Sequence, residues 1–198
     1  RRLADRAMEQ AAEFEPRDVA LILNAYAKLQ FRDLELFEKF SKAIRSDAGE
    51  GLGFGEQQLA LVANSYARLH LADAALFQIL SGWIKKRASE FTPQGIATVA
   101  NAYSKVLIRD DGVMQALSAS ITERSLLPRL EPQHVANLLN AHARLQINGD
   151  EMIQQLIGLV PAKAHGFRAV EVAATVNAIT KLGIGQDRAL RAMAAVVK

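Results

Sequence analysis

The chain has 198 residues, of which 50% are hydrophobic, 23% charged and only 6% aromatic, with a net charge of +3. That balance is ordinary for a globular protein and, being alanine-rich, favours helices packed closely through small side chains; the mild positive charge admits nucleic acid without demanding it. The absence of cysteine excludes disulfides, zinc–cysteine sites and a thiol nucleophile, and the apolar runs fall far short of the roughly 20 residues that span a bilayer.

No signal or transit peptide is visible, and the start at Arg1-Arg2 reads as that of a trimmed chain. Residues 1–13 carry Leu3, Ala7, Met8 and Ala11 and read as the second helix of an earlier, otherwise missing repeat. Five copies of one unit follow, at 14–53, 54–90, 91–129, 130–166 and 167–198. Each opens on a large apolar residue: Phe14, Phe54, Phe91, Leu130 and Phe167. Ten residues later each carries an asparagine heading a related string: NAYAKL at Asn24, NSYARL at Asn64, NAYSKV at Asn101, NAHARL at Asn140 and NAITKL at Asn177. The period is 37–40 residues, and the variation in length falls after the second half of each unit.

With the opening apolar residue counted as offset zero, a first helix is predicted from about offset three to sixteen. Pro16, Pro93 and Pro132 stand at its first turn, where a missing N–H costs nothing, and Thr92 reads as an N-cap. Offset six is alanine throughout (Ala20, Ala60, Ala97, Ala136, Ala173), and offset thirteen is small (Ala27, Ala67, Ser104, Ala143, Thr180). Both lie on one side and let a neighbouring helix approach. Offset fifteen is aliphatic: Leu29, Leu69, Val106, Leu145 and Leu182. A second helix is predicted after Asp33, Asp73, Asp110, Asp150 and Asp187, each placed as its N-cap. Its apolar stripe is Leu36, Phe37, Phe40 and Ile44 in the first unit and Leu76, Phe77, Leu80 and Ile84 in the second. The glycine-rich stretch 49–53, Pro128 and Pro161 are expected to break the chain between helices. Two short helices cannot bury both faces alone, so the expected fold is all-α: an α-solenoid of five helical-hairpin repeats in one continuous domain. The C-terminal run Arg191, Ala192, Met193, Ala194, Ala195 to Lys198 makes a poor polar cap, so another chain, or more of this one, is expected to cover that end.

On the first helix, offsets five, nine, twelve and sixteen form the expected core stripe, and offsets three, seven, ten and fourteen the opposite face. Offset fourteen is basic in every repeat: Lys28, Arg68, Lys105, Arg144 and Lys181. Offset ten is the asparagine. Offset three is Arg17, Gln57, Gln94, Gln133 and then Val170, while offset seven varies as Leu21, Leu61, Thr98, Asn137 and Ala174. Stacking would line the cations up to meet a phosphate backbone, with the asparagines one turn away to read base edges. A structural reading stands beside this one. Cations in a last turn complement the helix dipole and cap carbonyls, and a repeated asparagine can bond the next repeat's backbone as a ladder. Tyr26, Tyr66 and Tyr103, sharing offset twelve with His142 and Ile179, face the core and are read as packing rather than base-stacking residues.

No enzyme is expected. His70, His134, His142 and His165 fall at unrelated offsets without ligand-spaced companions, so no metal is assigned. Neither a phosphate-binding glycine loop nor a nucleophile elbow occurs, so no cofactor and no small-molecule substrate are expected. The segment Pro132-Gln133-His134-Val135-Ala136-Asn137-Leu138-Leu139-Asn140-Ala141-His142-Ala143-Arg144-Leu145 resembles the octotricopeptide-repeat signature, with asparagine where that signature has tryptophan. The NAYAKL form is similar to the related heptatricopeptide repeats. This resemblance over residues 14–198 implies an organellar, mostly mitochondrial, RNA-binding protein in a ribonucleoprotein complex; the specific expectation is a mitoribosomal subunit holding rRNA segments. The alternative is a protein-interaction scaffold of armadillo or tetratricopeptide type, since such solenoids also use rows of asparagines.

Overall fold

The computed structural model describes residues 14–46, 53–148, 151–183 and 187–196. Ten α-helices and no strand occur among them, in the order α1 (Pro16–Lys28), α2 (Leu34–Ser46), α3 (Glu56–Arg68), α4 (Ala74–Lys86), α5 (Pro93–Val106), α6 (Asp111–Glu123), α7 (Pro132–Leu145), α8 (Glu151–Lys163), α9 (Ala169–Leu182) and α10 (Asp187–Val196). Short 3₁₀ turns at Ala88–Glu90, Leu127–Arg129 and Ala164–Gly166 lead into α5, α7 and α9. The reading of residues 1–13 as a partial repeat lies outside the described residues.

The starts of these helices follow from their sequence. Pro16, Pro93 and Pro132 occupy the first helical turn, and Thr92 Oγ1 accepts from Gly95 N–H at 3.1 Å. Asp33, Asp73 and Asp110 each accept the N–H of the residue three further on, at 3.1, 2.9 and 3.0 Å, which satisfies a donor that the first turn leaves open. Asp150 lies outside the described residues. Asp187 is not a described cap; it is already the first residue of α10. Pro161 is likewise no linker residue. It stands inside α8, near its end, where its missing N–H costs only the bond to the Ile157 carbonyl and the helix has two residues left to run.

The ends of the first helices correct another expectation. Offset sixteen belongs to no core stripe, because the helix has already stopped there. Gln30, His70, Leu107, Gln146 and Gly183 are all exposed, and all take left-handed backbone angles, with φ between 54° and 68°. Behind four of them the chain closes with a six-residue backbone bond, from Phe31, Leu71, Ile108 and Ile147 N–H to the Tyr26, Tyr66, Tyr103 and His142 carbonyls. This is the reversal that ends a helix by pairing its last carbonyls. Only the fifth repeat uses glycine, the residue for which this conformation is free of strain.

The first helices form one layer: α1, α3, α5, α7 and α9 pack successively along their lengths. The alanines at offset six and the small residues at offset thirteen make the seam toward the following repeat. They are buried in repeats one to four, whereas Ala173 and Thr180 on α9 are exposed. Leu29 is 79% exposed at the other end of the layer, although its equivalents Leu69, Val106, Leu145 and Leu182 are buried; that offset packs toward the preceding repeat, which for Leu29 has no described counterpart. The second helices form the other layer, with α2 on α4, α4 on α6 and α8 on α10. Between α6 and α8 the approach is looser and a cleft of about 340 Å³ remains, lined in part by Ser118, Thr122, Glu123, Glu151 and Gln155. Gln155 Oε1 is buried there with no hydrogen-bond partner.

Tyrosines tie the layers together across repeats. Tyr66 and Tyr103 are buried, and their hydroxyls donate to the carbonyls of Phe37 (2.6 Å) and Phe77 (3.3 Å) in the preceding repeat's second helix. Each ring meets the same phenylalanine edge-on, at centroid distances of 5.0 and 4.9 Å. The Tyr103 hydroxyl also lies 2.9 Å from Ser81 Oγ. Burial pushes both phenols well above the ordinary tyrosine range. These rings are packing elements, as offset twelve predicted. In repeat four the position is His142, fully buried, with Nδ1 2.8 Å from the Leu138 carbonyl.

Candidate functional site

The side of the first-helix layer facing away from the second helices carries the residues singled out from the sequence. Lys28, Arg68, Arg144 and Lys181 are exposed and Lys105 is half-buried; each sits in the last turn of its helix. Asn24, Asn64, Asn101 and Asn140 are half-buried one turn earlier, and Asn177 is exposed. Arg17, Gln57, Gln94 and Gln133 are exposed in the first turns. The close packing of α1 to α9 therefore brings the three classes into three lines that cross the helices, separated along each helix by multiples of its 1.5 Å rise.

Electrostatics show that the cation line is compact. Lys105 is pushed below the ordinary lysine value by burial first, and then by Arg68 and Arg144 on the two neighbouring helices. Like charges are thus stacked closely enough to act on one another, with no compensation nearby. Among the described residues, none of the five cations has a carboxylate within ion-pair distance, and none donates a hydrogen bond to the carbonyls closing its own helix. Six other cations, Lys39, Lys42, Lys85, Arg87, Arg109 and Arg168, meet an acid; what sets the five apart is their common register on adjacent helices. The asparagine side chains make no hydrogen bond among the described residues either, so the structure contains no asparagine ladder; Asn101 takes part through its backbone carbonyl, which accepts from Ser104 Oγ at 2.9 Å.

Acids take the opposite rim. Glu15 and Glu131 precede the first residues of α1 and α7, while Asp18, Glu56 and Glu171 lie in the first turns of α1, α3 and α9. Glu56 is raised above the ordinary carboxylate value by burial and by Glu90. The face is polar across its width: acids gather where the helices begin, beside Arg17 and Arg168, and the cation line lies where they end.

Between α5 and α7, near the acidic rim, this face opens into a notch of about 160 Å³ lined by Gln94, Thr98, Glu131, Gln133, His134 and Asn137 over a floor of Ala97. Gln94 and Gln133 are among the site residues expected from the sequence. Thr98 and Asn137 hold offset seven, the variable neighbour of the fixed asparagine, a pairing that resembles codes in which a few side chains read one base, and His134 lacks ligand-spaced companions. The usable cue was Glu131 three residues before His134 at a helix start: the Glu131 N–H donates to His134 Nδ1 at 3.1 Å, a side chain folding back on the cap residue as in a capping box. Burial, opposed by Glu131 and assisted by Lys163, holds His134 below the ordinary histidine value. No cluster of three potential metal-binding side chains occurs among the described residues, and none of their helices is long and apolar enough to cross a membrane.

A family model described as RNA-editing substrate-binding complex 6 protein matches residues 1–197. The chain belongs to this family. No curated protein matches it. The RNA-editing family is distinct from the octotricopeptide and heptatricopeptide groups. The resemblance to those rests on the alanine seam, the aliphatic stripe and the closing basic residue, which any closely stacked helical hairpin can use. An RNA-editing complex, not a ribosome, is the setting the family description gives, and neither the mitoribosome nor rRNA finds support in it.

Proposed function

We propose that the chain is a non-catalytic RNA-binding solenoid of a mitochondrial RNA-editing substrate-binding complex, gripping a strand through the phosphates. Lys28, Arg68, Lys105, Arg144 and Lys181 supply the grip, and Asn24, Asn64, Asn101, Asn140 and Asn177, with Arg17, Gln57, Gln94 and Gln133, lie under the sugars and bases. The observation that carries this reading is the line of five cations, without ion pairs among the described residues, in the last turns of adjacent helices, where Lys105, lowered first by burial, also feels Arg68 and Arg144. A row that capped carbonyls would bond to them, whereas dipole complementation needs no bond and is separated from phosphate binding by the salt titration. A row that waits for a polyanion stays free, and releases counterions when it meets one.

Protein partners belong to the same reading. Ala173 and Thr180 are exposed on α9 although their equivalents are buried against a following repeat; this supports cover at that end of the stack, by a partner or by more of this chain. The scaffold alternative has the asparagine row holding an extended peptide instead.

The test is photocrosslinking of the purified chain to a 4-thiouridine-containing single-stranded RNA, with the crosslinked peptides mapped. Crosslinks are expected on the exposed faces of α1, α3, α5, α7 and α9. Crosslinks confined to the second-helix layer, or none, would overturn the reading and leave the scaffold.

A further inference from the structure

The phosphate grip leaves open what happens at the other edge of the face. An RNA backbone on the cation line leaves its bases free to extend toward the helix starts. Seven residues separate Lys105 from Thr98 on α5, and Arg144 from Asn137 on α7; at 1.5 Å per residue that is about 10 Å along each axis, the reach of one nucleotide from phosphate to base edge. The notch between α5 and α7 lies at the end of that reach.

The chemistry of the notch is that of a base edge. Gln94, Gln133 and Asn137 each offer an amide acceptor and donors, Thr98 a hydroxyl, and Glu131 a carboxylate that can only accept. His134 Nδ1 accepts the Glu131 N–H, so in the neutral ring the proton sits on Nε2 and that nitrogen is a donor. The His134 imidazole is the one aromatic ring lining the notch, and the rest of its lining apart from Ala97 is hydrogen-bonding groups. Its opening between two helices admits a single splayed base; a paired base has its recognition edge occupied.

We propose that this notch binds one unpaired, amino-bearing base of the RNA, with Glu131 accepting from the exocyclic amino group and the amides of Gln94, Gln133 and Asn137 completing the edge. The proposal rests on the RNA-binding reading above and adds to it a position and a preference. A carboxylate favours adenine, cytosine or guanine over uracil, whose carbonyl oxygens it would repel. It is one base-selective position in an otherwise sequence-tolerant grip, set by repeats three and four because only they place polar side chains at offset seven, where the others have Leu21, Leu61 and Ala174.

The experiment compares fluorescein-labelled 12-nucleotide RNAs, all-uridine or with one central adenosine, cytidine or guanosine, by anisotropy with wild-type protein and with Glu131→Gln. A well-placed pair of base contacts discriminates by roughly tenfold, so at least one substituted oligonucleotide should bind about tenfold tighter than the all-uridine strand. In Glu131→Gln that ratio should fall to about twofold or less. Melting curves verify folding, and Asn137→Ala replaces Glu131→Gln if loss of the cap residue unfolds α7. The combined Arg68→Gln, Lys105→Gln, Arg144→Gln protein should weaken every oligonucleotide yet keep the ratio. Equal wild-type affinity for all four strands, or a ratio that survives both notch substitutions, would overturn the notch while leaving the phosphate grip standing. No RNA binding by wild type would overturn both.

Discussion

Replacing Arg68, Lys105 and Arg144 together with glutamine separates a phosphate grip from a set of helix-end charges. The three sit side by side on α3, α5 and α7, and Lys105 is lowered first by burial and then by both neighbours. If they bind phosphates, each contributes about 0.7 to the logarithmic salt slope on a single strand, so the triple variant should lose about 2 from it. Between 50 and 200 mM salt these three contacts account for an affinity loss of about 20-fold in the wild type, which the variant should no longer show. Stability should behave the other way from a capping row. Dipole complementation is worth about 0.3–1 kcal/mol per cation, so a row serving only the helix ends would cost about 1–3 kcal/mol when removed, or several degrees of melting temperature at this chain length. Relief of like-charge repulsion around half-buried Lys105 opposes that loss, and no bond to a closing carbonyl is broken. The expected melting temperature therefore stays within about 2 °C of wild type. The assay is anisotropy of a labelled 12-nucleotide RNA at stepped salt, with thermal melts of the same samples. A variant that melts many degrees early but binds with the original slope would refute the reasoning.

Three further outcomes follow from the geometry. Tyr66→Phe and Tyr103→Phe each remove an inter-repeat hydroxyl bond to a buried carbonyl and should destabilise the protein by about 1–2 kcal/mol in urea unfolding, with RNA affinity retained. Leu107→Gly relieves a left-handed residue that is exposed and so gives up little packing; it should stabilise by about 0.5 kcal/mol, after the glycine's own entropy cost is set against the strain removed. His134 is held below its ordinary value in the folded state, so the unfolded chain binds more protons as pH falls through the ordinary histidine range. Its contribution is thus fully present above that range and lost on acidification to the folded value. His134→Gln should accordingly flatten the decline in melting temperature between about pH 7.5 and 5.5, and an unchanged decline would show that His134 is not responsible.

The repeat was legible because the physical demands of stacking recur at fixed spacing. The alanines at offset six, buried from Ala20 to Ala136, and the aspartate caps Asp33, Asp73 and Asp110 could be placed from one sequence because each serves a purely local need. What escaped was set by the chain's third dimension. Offset sixteen was read as core because a helical stripe extrapolates past the helix end, and nothing in Gln30, His70, Leu107 or Gln146 announces a left-handed turn as Gly183 does. Pro161 was read as a break although it falls late enough in α8 to be tolerated. The tyrosines could be assigned to the core, but their carbonyl partners lie 29 and 26 residues away in the preceding repeat, beyond any local pattern. The notch escapes a local pattern for the same reason: Gln94 and Gln133 are legible on their own helices, but the opening between them is made by two helices together.

The uneven spacing of the two layers has a mechanical consequence. At the junction of repeats three and four, α5 and α7 are clamped along their length while α6 and α8 leave a cleft. A stack held tightly in one layer and loosely in the other flexes about the tight one, so closing the cleft tips the last two hairpins against the first three. The opposite surface responds at that same joint, where Lys105 faces Arg144 and the notch has its mouth.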